Sequence, residues 1–293
     1  MRRVIQTTAA VLAAVVTYVF VTLPPRQIAV TTPLPKTVAL GAYHIHTTLS
    51  DGAGSPDDVA RAAKRAGLSF AILTDHGDAT RIPAAPHYVD GVLLIDAVEV
   101  SAVEGHVVAL GLNGAAPYRL AGEARGIIED IHRLGGFAIV AHPDSAKQEL
   151  RWRPPGPGAS TGGRQGGAPN ADLIGADGIE WMNADSEWRD ESKSRLVNTV
   201  LHLPVRPAET FVTLFDRPAA TMRRWDIATR RRPVVGLSAV DSHGLVAGLY
   251  ETTFRAFAQA VTLPAPLSGD AAADATAIIS SIRGGRAFSV ITG

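Results

Sequence analysis

Residues 38–52 read VALGAYHIHTTLSDG, and this stretch decides the fold. Val38 to His46 is a strand whose residues are apolar on both faces of the pleat, as in a buried parallel strand. It ends on His44 and His46, one residue apart, so strand alternation places both on one face. A turn, Ser50-Asp51-Gly52, follows. Ser55 is then a good N-cap, with Pro56 at the first helical position and Asp57 and Asp58 in the first turn. A helix is expected to run to Ala66 and stop at Gly67, and Ser69 to Thr74 forms the next strand.

The alternation continues. Strands are expected at Gly91–Ser101, His106–Leu112, Phe137–Ala141, Gly178–Met182, Val234–Val240 and Ala287–Ile291. Helices fall at about Gly122–Leu134, Ser186–Leu203, Ala219–Arg231 and Ala271–Arg283. This order implies an α/β fold built on a parallel sheet or barrel. No internal repeat is visible. Arg153 to Asn170 is Gly- and Pro-rich and reads as a surface loop or insertion.

The chain has 293 residues, 46% of them hydrophobic, enough to bury a sizeable core. Lys+Arg and Asp+Glu are 28 each, and a net charge of zero argues against a general nucleic-acid binder. Absence of cysteine excludes a disulfide framework, a Cys-type zinc finger and a thiol nucleophile. Any metal must therefore be held by His and carboxylate.

Residues 1–25 read as a membrane anchor or signal peptide. Arg2 and Arg3 precede an uncharged run, and Thr7 to Leu23 is almost wholly apolar or Thr. Its length is enough to span a bilayer core. No A-x-A cleavage site follows, which favours an uncleaved anchor over a cleaved signal. The Arg pair then stays in the cytoplasm and the rest lies outside it, periplasmic or extracellular. Residues 26–37 form a linker, and one domain fills 38–293.

Polar residues collect where the apolar strands end. His44 and His46 close the first strand, Asp51 follows in its turn, and His76 lies within Thr74-Asp75-His76. Glu99 lies near the end of the third strand, and His106 opens the next. His142 precedes Pro143, and Asp241 and His243 close the late strand. In a barrel such ends converge on one face. Six imidazoles and three carboxylates brought together without metal would repel one another and leave buried groups unpaired. Nine ligands exceed one tetrahedral ion and suit two or three divalent ions. The donor mix favours Zn, Mn or Fe over Ca or Mg. His87, His132 and His202 have no companion ligands and read as structural residues. Trp181, Trp188 and Trp225 read as packing residues. Asp75 either orients His76 and shuttles a proton or serves as a capping residue.

These motifs, His44-Ile45-His46, Ser50-Asp51-Gly52, Thr74-Asp75-His76, Glu99, His106, Ala141-His142-Pro143 and Asp241-Ser242-His243, resemble the PHP (polymerase and histidinol phosphatase) superfamily. The segments from Glu99-Val100-Ser101 to His106, Gly178-Ile179-Glu180 and Arg283 to Phe288 are similar to its carbaryl-hydrolase-like branch. The resemblance implies a distorted seven-stranded (β/α) barrel with a two- or three-metal centre. It implies that His44, His46 and Asp241 hold one metal, which Glu99 bridges to a second held by His106 and His142. Asp51, His76 and His243 would hold the third.

Such a centre makes hydroxide from water at neutral pH, here held by Glu99, His106, His142 and Asp241. The expected activity is a phosphoesterase on a small phosphate ester or nucleotide, as a small-molecule substrate. A carbamate, ester or amide hydrolase on the same centre is the alternative, and a metal-loaded, non-catalytic binding module at the membrane is a third. Lys147, Arg151 and Arg153 either meet a phosphate or are solvated loop charges.

Overall fold

The computed structural model describes residues 1–26, 33–147, 150–153, 173–245 and 248–291. The expected loop at 153–170 lies, beyond Arg153, outside them. The chain opens with α1 (Arg2–Thr22), a helix long and apolar enough by length and composition to cross a membrane, with mean hydropathy 2.0. Its end touches the rest of the chain. The Tyr18 hydroxyl donates to Asn198 Oδ1 at 2.7 Å, and Thr22 Oγ1 meets His202 Nε2 at 2.8 Å.

The elements that follow are β1 (Val38–Ile45), α2 (Pro56–Arg65), β2 (Phe70–Leu73), β3 (His87–Val89), β4 (Val92–Asp96), β5 (Val98–Ala102), β6 (Gly105–Leu110), α3 (Ala124–Arg133) and β7 (Phe137–Val140). Then come β8 (Gly178–Asn183), α4 (Ala184–Asp190), α5 (Lys193–His202), α6 (Pro207–Val212), α7 (Ala219–Thr229), β9 (Val235–Ala239), α8 (Leu249–Ala256), β10 (Phe257–Thr262), α9 (Ala271–Arg283) and β11 (Ala287–Ile291). Helix α2 starts as its sequence requires. Ser55 Oγ accepts the Asp58 N–H, and the Asp58 carboxylate accepts the Ser55 N–H, a reciprocal capping box.

The strands form two mixed sheets, in the orders β11-β10-β1-β2-β4-β3 and β5-β6-β7-β8-β9. Three expectations are corrected. The strand foreseen at Gly91–Ser101 is β4 and β5, broken at Ala97, because the chain passes there from one sheet to the other. The helix foreseen at Ser186–Leu203 is α4 and α5, since Ser192 caps a new helix by accepting the Arg195 N–H. The first sheet is not purely parallel: β10, not foreseen, pairs antiparallel with both β1 and β11. Gln259 disguised β10 by interrupting its apolar run. It is buried and accepts from Ser238 N–H and Oγ–H, both at 3.0 Å, tying β10 to β9.

Backbone bonds also join the sheets at two places. Val240 N–H donates to Tyr43 O and His46 N–H to Ser242 O, both at 3.0 Å. Ala97 N–H donates to Leu73 O at 2.8 Å, and Gly77 N–H to Glu99 O at 3.0 Å. Between the sheets lies one apolar cluster that includes Tyr43, Phe70, Ile95, Leu110, Ile139 and Leu237, joined by Ile278 and Ile282 of α9. A second cluster packs α2, α6 and α8 on the first sheet, and a third packs α3 and α7 on the other.

Candidate metal centre

The sheets meet where the polar strand ends gather, and all nine foreseen residues come together there. Their ligand atoms form four overlapping groups, each within 4.8 Å. These are His46/Asp51/His76/His243, His44/His46/Glu99, His44/His142/Asp241 and His76/Glu99/His106. Glu99 is the hub. Its Oε1 lies 2.8 Å from both His106 Nδ1 and His142 Nε2. Its Oε2 lies 3.2–3.3 Å from His44, His46 and His76. Asp241 Oδ1 is 3.3 Å from His46 Nε2 and 3.6 Å from His44 Nε2.

The backbone is distorted to achieve this. Pairing of β1 with β2 sets Tyr43 opposite Ile72 and Ile45 opposite Leu73, leaving His44 as the extra residue of a bulge. The H-x-H pair therefore converges through a bulge rather than through plain alternation. His44, His142 and Asp241 all take positive φ, at 68°, 28° and 44°. Such backbone in non-glycine residues costs of order 1–3 kcal/mol each and collects at functional sites. In the Asp51 turn, Gly52 is obligatory, because a Cβ there would stand 2.2 Å from the His46 carbonyl oxygen.

The hydrogen bonds show why a cation fits. Glu180 Oε1 lies 2.5 Å from His44 Nδ1, which donates to it and leaves Nε2 as the atom turned to the cluster. That atom faces His46 Nε2 at 3.2 Å and Glu99 Oε2, where a cation would take the place of its proton. Likewise His142 Nδ1 donates to Leu150 O at 3.1 Å, and His243 Nδ1 to Asp241 O at 3.1 Å, freeing both Nε2 atoms for the cluster. Imidazoles fixed through their far nitrogen are how metal-binding histidines are held. A buried set of His nitrogens and carboxylate oxygens suits Zn, Mn or Fe.

Charge follows the same geometry. Burial raises the Glu99 carboxyl, but the imidazoles of His44, His106 and His142 outweigh it and hold it well below its usual range. Asp241 is held down in the same way by His44, His46 and His142. Burial lowers His46 and His142, yet Asp241 and Glu99 outweigh it and raise each to about 9. His76, with burial dominant, is lowered.

Sequence reasoning missed Glu180 as a site residue. It is buried in β8, and its Oε2 accepts from His142 N–H at 2.8 Å and Asn183 Nδ2 at 2.9 Å. A lone acid in the apolar run GIEWMN was the available signal. Asp75 accepts from Thr47 N–H and Oγ1–H and from Ser50 Oγ–H, shaping the turn that carries Asp51. Lys147 lines the cleft over the cluster, as does Arg189, which was not foreseen and pairs with Asp185. Arg151 instead donates to the Ser145 carbonyl at 2.7 Å. His87, His132 and His202 bond to Ala85 O, Asp177 and Asn198 O, as structural residues do.

No protein-family model and no curated protein matches the sequence. Solved structures do. A two-domain protein from Bacteroides vulgatus containing a predicted PHP-like metal-dependent phosphoesterase matches with TM-score 0.50 and 15% identity, over 92% of this chain and 69% of its own. The chain shares its overall fold with that protein. A protein from Bifidobacterium adolescentis, inferred to be a metal-dependent phosphoesterase, is less similar: TM-score 0.43 and 14% identity, over 75% and 89% of the two chains. So is Endonuclease Q in complex with a duplex bearing an abasic lesion, at TM-score 0.30 and 18% identity, over 40% and 36%.

Proposed function

We propose that the chain is a PHP-type metal-dependent hydrolase, a phosphoesterase acting on a small phosphate ester or nucleotide. The observation that carries this is the convergence of fixed Nε2 lone pairs from His44 and His142 on Glu99 and Asp241. His44, His46 and Asp241 would hold one ion, Glu99, His106 and His142 a second, and Asp51, His76 and His243 a third. Ions held there would lower the pKa of water and neutralise charge on the phosphate oxygens. The protein's own part is positioning. Glu180 and the Leu150 carbonyl fix the ring orientations, and Asp75 fixes the turn that carries Asp51. Lys147 and Arg189 present positive charge along the cleft, where a phosphate would lie.

The barrel is part of the same proposal. The backbone bonds between the sheets support one distorted barrel of seven members: β1, β2, the β4–β5 run, β6, β7, β8 and β9. The apolar length of α1 supports a membrane anchor with the domain outside the cytoplasm, which protease digestion of intact cells would test.

The deciding experiment purifies the full chain without chelator and counts bound metal. The same sample is assayed on p-nitrophenyl phosphate, bis-p-nitrophenyl phosphate, a p-nitrophenyl carbamate and an abasic-site duplex. Metal with phosphate-ester turnover is expected, lost in Glu99→Ala and His142→Ala while circular dichroism is retained. Turnover of the carbamate alone would replace the phosphoesterase by the amide and ester chemistry. Turnover undiminished in both variants would remove the metal mechanism.

A further inference from the structure

A second cavity adjoins the cluster and is of the opposite character. It measures about 250 Å³, and Trp188, Phe211, Val240, Leu245 and Leu249 form its walls. Asp185, Arg189, Asp241 and His243 line both this cavity and the metal cleft, so the two spaces share a wall. Trp188 and Phe211 lie with ring planes 17° apart, and both line the second cavity. Outside the wall shared with the cleft, the polar side chains are already paired. Thr253 Oγ1 bonds to Ser242 Oγ at 3.2 Å and to Leu249 O at 3.0 Å. The rest of the lining offers a guest mainly apolar contact area, which suits an apolar group.

We propose that this cavity is the substrate's leaving-group or side-group pocket and that the natural substrate is a phosphate ester bearing an aryl or branched apolar group. The phosphate would lie over the cluster and the apolar group against Trp188 and Leu249. The proposal rests on the phosphoesterase reading of the centre, and the wall shared by the two spaces makes a substrate group the occupant.

The test uses full-length, zinc-loaded protein and two probes with one headgroup, methylphosphonate and benzylphosphonate. Binding is read by calorimetry and by tryptophan fluorescence. Benzylphosphonate is expected to bind about tenfold tighter, from the apolar area its ring buries. Trp188→Ala should reduce that ratio to about twofold, with methylphosphonate affinity unchanged. Should Trp188→Ala fail to fold, Leu245→Gln changes an exposed residue of the same wall and should lower the ratio as well. A wild-type ratio near one, with methylphosphonate binding intact, would overturn the pocket and leave the phosphoesterase standing. Equal loss of both probes in the variants would likewise overturn it. Binding of neither probe to wild type would overturn both readings together.

Discussion

Two halves of the candidate metal cluster are built differently. His44, His46, Glu99, His106, His142 and Asp241 are at most 9% exposed, and Glu180 and the Leu150 carbonyl pin two of their rings. Asp51, His76 and His243 form the outer half, with side chains 54%, 35% and 15% exposed. Asp51 stands on a solvent-facing turn held by Asp75, by the close fit of Gly52 and by backbone bonds such as Gly52 N–H to Thr47 O at 2.9 Å. The inner half is preorganised by packing and hydrogen bonds. The outer half is open to solvent, so under the proposed function an ion would exchange and a substrate would enter there.

The largest break of this contrast comes from inside. His44→Ala removes a ligand shared by two groups and strands buried Glu180 without its partner, at about 3–5 kcal/mol. Bound metal and turnover are expected to vanish together, with a clear fall in Tm, checked by elemental analysis and melting. Glu180→Gln keeps every proposed ligand but exchanges a carboxylate for an amide beside His44 Nδ1. Inner-ion affinity should weaken about 10–100-fold, as competition with a chelator would show. Asp51→Asn should remove only the outer ion, leaving inner metal resistant to mild dialysis and Tm nearly unchanged. Equal loss of all ions in Asp51→Asn would erase the distinction between the halves.

Acidity sharpens the contrast further. In chelated protein His46 and His142 are raised to about 9 by Asp241 and Glu99, which overcome burial. A raised histidine stabilises the fold fully below its unfolded value, near 6.5, and that stability is lost as pH rises through about 9. Tm of the metal-free chain should therefore fall from pH 6.5 to 9.5. Below the ordinary carboxylate range it should fall again, as Glu99 and Asp241 take up protons. Metal must displace the histidine protons, so inner-ion affinity should climb over the same alkaline interval. The smallest effect lies beneath the inner half, where Glu187 is raised to about 7 by burial. Its contribution to stability declines as pH rises from about 4.5 through 7, and Glu187→Gln should flatten that decline in a melting series.

Much of this was legible in the chain. The apolar strands ending in His or Asp gave the nine proposed ligands, and the Ser55 capping box and the Gly67 stop marked α2. What escaped depended on tertiary context. Gln259 looks like a break in a strand until its amide is seen holding Ser238 on the neighbouring strand. Glu180 has no metal-like spacing to any histidine in sequence, and only the fold brings it to His44. The sheet change at Ala97 leaves no local mark, because Val92–Ser101 holds no glycine or proline to signal the break.

The left-handed backbone at His44, His142 and Asp241 also bears on how such a protein decays under mutation. At each position glycine would relieve the chain and delete a ligand in one step. Once activity ceases to be selected, glycine at these positions would release that strain, but at His44 it would still leave buried Glu180 without its imidazole. A relic of such a site would therefore show glycine at position 44 only together with the loss of the acid at 180.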